Sequence, residues 1–154
     1  MIITPHLLVG AAIGSKIHNW WAVAILSFAS HYILDAIPHP AYQLNFLKTK
    51  TFGKGTVADI LKLGADFCLG FLFIFLVAEK TASFPYMALG MFMAILPDFL
   101  QVFYRFYKNR FLEPFQIVHD YFHFDKTKNF AWQSSVTIFT IFITITSIIA
   151  ILIK

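Results

Sequence analysis

The sequence predicts an all-α integral membrane protein, a bundle of about four to five membrane-embedded helices with one short interfacial helix. Three observations lead there. Hydrophobic residues make up 58% of the 154-residue chain and charged ones 13%, with a mean hydropathy of +0.70. Soluble domains run at roughly 45–50% apolar and about 25% charged. The 19 phenylalanines fit the same solvent, since lipid accepts exposed rings that water does not. Finally, several apolar runs approach the roughly 20 residues needed to cross a hydrocarbon core of about 30 Å. A lone strand in that medium would leave its backbone groups unpaired, so each run is read as a helix.

The first helix is expected over about 4–17, TPHLLVGAAIGSKI. At 1.5 Å per residue it is too short to cross alone. Thr4 suits the cap, Pro5 the first turn, and Gly10 and Gly14 form a small-residue face for close packing. After a turn at HNWW, the second helix is expected over about 20–37, ending before Pro38. A solvated loop, 38–56, carries Lys48, Lys50 and Lys54. The third and fourth helices are placed at about 57–79 and 85–104, and a short interfacial helix near 112–124. The last, about 131–153, is uncharged from Phe130 to Ile153; its many threonines and isoleucines would favour a strand in water. The length gives one domain, 1–154.

Charge narrows the function and the orientation. A net charge of +4 with no basic stripe and no recognition motif speaks against nucleic acid. If the second helix ends on one side, that side's loops hold Lys48, Lys50, Lys54, Arg105, Lys108, Arg110, Lys126 and Lys128. The other side holds Lys16, Lys80 and Lys154. The positive-inside rule makes the first side cytoplasmic. Cys68 is the single cysteine, so an internal disulfide is impossible. No cationic n-region or small-residue cleavage site precedes the first apolar run, so no removable signal is expected.

The stretch SHYILDAIPHP, 30–40, carries the most chemistry. On a helix His31 and Asp35 share a face and can address one ion or one water. An ionisable pair within an apolar segment is costly and marks function by default. A plain His–Asp hydrogen bond tying helix ends is the structural alternative; His39, just past Pro38, favours a metal. HDYFHF, 119–124, repeats the spacing with His119 and His123. Asp98, beside Pro97, and Asp66 would lie near the same membrane face. Asp98 could instead pair with Arg105, and Asp59, Lys62 and Asp66 could form a same-face ionic ladder. A hairpin turning near Asn19 would bring His6 to that face as well. His18 falls at the opposite end and is not read as a ligand.

The expected ligands are therefore His6, His31, Asp35, His39, Asp66, Asp98, His119 and His123. Asp35, Asp66, Asp98 and Asp120 in one desolvated layer would have to take protons or bind cations. Imidazole mixed with carboxylate suits one to three divalent ions, zinc first. The absence of H-E-x-x-H argues against a zincin-type protease.

TPHLLVGAAIG, SHYILDAIPH, LPD and the H-x-x-x-H at 119–123 resemble the membrane-bound metal-dependent hydrolases of the YdjM/YbcI type, a domain of unknown function. The resemblance covers most of the chain up to about residue 124. That group is similar in ligand pattern to zinc-dependent phospholipase C and P1 nuclease, helical proteins that hold zinc with His, Asp and Glu. In those proteins an H-x-x-x-D supplies a histidine and a bridging aspartate, which His31 and Asp35 match, and an N-terminal histidine is a further ligand, which His6 matches. This chain lacks their H-x-x-x-E pair and a mature N-terminal tryptophan. The first reading is a metal-dependent hydrolase of the inner membrane cutting a phosphoester of a lipid or lipid-linked substrate, with His31 and Asp35 at the catalytic centre; the lipid follows from location alone, since the site would lie near headgroup depth. Its partners would be membrane lipid and that substrate. The rival reading is a non-enzymatic divalent-metal carrier or sensor, since intramembrane carboxylates and histidines also mark ion pathways. A carrier should show polar residues continuing to the far side, where the long helices are almost wholly apolar.

Overall fold

The computed structural model describes residues 3–37, 54–78, 83–122 and 130–153. Among the described residues there are six helices and no strand: α1 (Ile3–Lys16), α2 (Trp20–Ala36), α3 (Lys54–Ala78), α4 (Phe84–Tyr107), α5 (Glu113–Phe122) and α6 (Phe130–Leu152). The all-α expectation holds.

Short and apolar on every side, α1 is the centre of the assembly. It packs against α2, α3, α4 and α6, most extensively against α4. Leu7, Leu8 and Ala11 join Ile74, Met87, Met91, Ile95 and Ile151 in the buried core. A helix that is hydrophobic all round has to be enclosed on all sides. Glycine lets the backbones meet. A Cβ on Gly10 would fall on the Gly90 carbonyl, one on Gly90 would fall on the Gly10 carbonyl, and one on Gly14 would strike the Tyr86 carbonyl. The small-residue face expected of α1 is thus matched by Gly90 on α4.

Local chemistry sets the ends. Asn19 caps α2, its side chain accepting the Ala22 N–H at 3.0 Å. Asp66 of α3 holds the N-terminal end of α1. The Asp66 carboxylate accepts the Ile3 N–H and the Thr4 hydroxyl, each at 2.5 Å. At its other end Lys16 Nζ donates to the Ile153 carbonyl, tying α1 to the end of α6. His18 Nε2, between α1 and α2, lies 2.8 Å from the Oγ of Ser83, just before α4.

The outer surface is strongly apolar. Trp21, Leu61, Leu69, Ile138 and Phe142 are each 60% or more exposed, and large exposed hydrophobics far outnumber buried ones. A surface of that kind marks an apolar or partner-covered environment. Among the described residues, one helix, α4, is long and apolar enough to cross a membrane, and 137–152 of α6 is a shorter apolar stretch.

Candidate metal centre

The interhelical core ends at a polar cluster built from four helices. α2 supplies His31 and Asp35 one turn apart, α4 supplies Asp98, α5 supplies His119, and α1 brings His6 alongside. One ligand atom from each of His31, Asp35, Asp98 and His119 lies within 4.8 Å of all the others. His31 and Asp35 are fully buried and His119 is 1% exposed, whereas the Asp98 side chain retains 15% exposure.

His31 is the oriented member. Its Nδ1 lies 2.8 Å from the Ala94 carbonyl of α4. A carbonyl only accepts, so Nδ1 carries the hydrogen and, in the neutral ring, Nε2 presents a bare lone pair. That nitrogen faces Asp35 Oδ2 at 3.2 Å and Asp98 Oδ1 at 3.3 Å. Among the described residues neither His31 Nε2 nor Asp98 Oδ1 makes a hydrogen bond within ordinary geometry. Three electron-rich atoms aimed at one another in a buried site repel unless a proton or a cation lies between them. A ring locked through its far nitrogen to a carbonyl is also the arrangement that orients metal-binding histidines.

Asp35 divides its carboxylate. Oδ1 lies 3.4 Å from His6 Nε2, while Oδ2 faces His31 and, at 3.7 Å, His119 Nδ1. The His6 ring packs on His31 at a centroid distance of 4.6 Å, and His119 stacks on His31 at 5.5 Å. A cavity of about 20 Å³ reaches His6 between Pro5, Leu34, Ile37, Phe139 and Ile143. It has room for about one water.

The expected ligands separate into three groups. His31, Asp35, Asp98 and His119 come together, with His6 touching Asp35 at their edge. His39 and His123 lie outside the described residues. Asp66 is elsewhere: its two oxygens hold the start of α1, so it organises the helix that carries His6 and does not join the cluster. The expected four-carboxylate layer is reduced to two for the same kind of reason. Asp120 is exposed and held by Gln116 Nε2 at 2.7 Å, one residue round the helix from buried His119. The sequence reading missed the Ala94 carbonyl, which no side-chain pattern can reveal. It also missed Tyr32, whose ring packs edge-on against His31 at 5.4 Å and near His119 at 6.4 Å. Adjacency to His31 was the available signal for Tyr32.

Two imidazoles and two carboxylates form a donor set that could hold a metal ion. No family model, curated protein or solved structure matches the chain.

Proposed function

We propose that this chain is a multi-pass inner-membrane bundle whose polar cluster holds one to three divalent ions, zinc first, and hydrolyses a phosphoester of a lipid or lipid-linked substrate. The observation that carries the reading is the convergence of His31 Nε2, Asp35, Asp98 and His119 within 4.8 Å, with His31 fixed by Ala94. The exposed apolar surface supports embedding by four or five helices, and the excess of Lys and Arg on one side supports a site facing the cytoplasm. The resemblance of its sequence patterns to the YdjM/YbcI type points the same way.

In this reading His31, Asp35, Asp98 and His119 hold the ion. A bound divalent cation supplies Lewis acidity, activating water and polarising a phosphoryl oxygen. Asp35, rigid on α2 and touching His6, His31 and His119, keeps the ligands in register and orients the attacking water. Asp98 is the most open member of the cluster, so water and phosphoester enter on its side. The enclosing helices exclude bulk water, which strengthens each electrostatic contact. A lipid substrate follows from a site at headgroup depth.

The test uses purified protein against phospholipids and polyprenyl phosphates, with and without a chelator. Release of phosphate or headgroup that is chelator-sensitive and lost in Asp35→Asn is the expected result. No turnover on any phosphoester, together with metal flux into proteoliposomes, would replace the enzyme by a carrier.

A further inference from the structure

α5, a short helix, delivers His119 to the cluster. It is ten residues long, packs on α4 and α2, and buries only Gln116 and His119. An isolated helix of that length is marginal. Its approach is a tight turn in which Lys108 adopts φ 27° and ψ 55°. Asn109 closes that turn by accepting the Leu112 N–H on its carbonyl and the Phe111 N–H on its side chain, both at 3.0 Å. Its outer side exposes large apolar groups, with Ile117 63% exposed, Tyr121 83% and Phe111 at the turn 75%, alongside two exposed acids, Glu113 and Asp120. Arg105 at the end of α4 and Lys108 and Arg110 in the turn before α5 are all exposed and outnumber those two acids. Aromatic and aliphatic side chains next to a cluster of cations match the boundary between headgroups and acyl chains of an anionic leaflet.

We infer that the outer face of α5 docks on an anionic lipid surface, and that this docking sets how firmly His119 is presented to the metal centre. The inference rests on the metal-binding reading above. Lipid contact covers the exposed side of α5, and a seated α5 places His119 beside Asp35 and Asp98. Linkage makes the coupling reciprocal: lipid that favours seated α5 tightens metal binding, and metal tightens the grip on lipid.

The experiment measures Zn²⁺ affinity of the full chain in nanodiscs by competition with a chromophoric chelator. Phosphatidylcholine discs are compared with discs that also contain phosphatidylglycerol. Affinity is expected to be about tenfold tighter in the anionic discs, within the usual range of coupling between two sites. Lys108→Gln/Arg110→Gln should abolish that gain and leave affinity in phosphatidylcholine unchanged. High salt should reduce the gain, because exposed charges are screened. Equal zinc affinity in both discs, with zinc bound, would overturn the coupling alone. Affinity that rises with protein per disc and ignores lipid charge would assign the face to a second copy and overturn the lipid proposal. No zinc in either disc would overturn the metal reading and the coupling with it.

Discussion

Replacing Asp98 by asparagine tests whether the cluster is built around a cation. The carboxylate oxygens contributed by Asp35 and Asp98 are at most 4.8 Å apart in a largely buried site. At an effective dielectric of about 20, two charges at that separation repel by about 3.5 kcal/mol. A divalent ion relieves that repulsion, and asparagine keeps the side chain's size while removing the charge to be relieved. Losing that relief alone corresponds to about two to three orders of magnitude in affinity. Zinc at a hundredfold excess over its Kd should stabilise the native protein by about 2.7 kcal/mol. The assay is unfolding in detergent followed with and without zinc, alongside metal analysis, with His18→Ala as the bystander control. Wild type and His18→Ala should show the full zinc increment, and Asp98→Asn and His31→Ala almost none. If Asp98→Asn responded to zinc as wild type does, the choice of ligands would be refuted. If zinc had no effect on any variant while Asp98→Asn lowered metal-free stability, the cluster would be a structural imidazolium–carboxylate tie.

Four further outcomes are expected. Gly90→Ala should destabilise by about 1–3 kcal/mol because its Cβ falls on the Gly10 carbonyl; Gly64→Ala, with open space around it, should stabilise by about 0.5–1 kcal/mol. Equal effects in thermal unfolding would deny the backbone contact between α1 and α4. Asp66→Asn should cost about 1–2 kcal/mol through the start of α1 while zinc stoichiometry stays the same; zinc loss on metal analysis would restore Asp66 as a ligand. Zinc occupancy should fall as pH is lowered, since imidazole binds metal only when neutral and protons compete for it; an occupancy flat with pH in equilibrium dialysis would exclude histidine ligation. A reporter fused after Lys154 should be active only outside the cytoplasm, and cytoplasmic activity would reverse the orientation drawn from Lys and Arg.

The chain by itself determined what depends on neighbours along a helix. Apolar runs gave the helices to within a few residues, and i, i+4 spacing put His31 and Asp35 on one face because 3.6 residues complete a turn. Gly10 and Gly14 announced a close backbone approach. The fates of Asp66, Asp98, His119 and Asp120 were not local. Each depends on how its helix is rotated about its axis and on what lies opposite. The tertiary structure turned Asp98 and His119 toward His31. It spent both oxygens of Asp66 on the first N–H and hydroxyl of α1, and it pointed Asp120 outward to Gln116. It also supplied the Ala94 carbonyl that fixes the His31 tautomer. A sequence states which side chains can bind a metal, but only packing between helices brings atoms 63 residues apart, such as His31 and Ala94, to within 2.8 Å of one another.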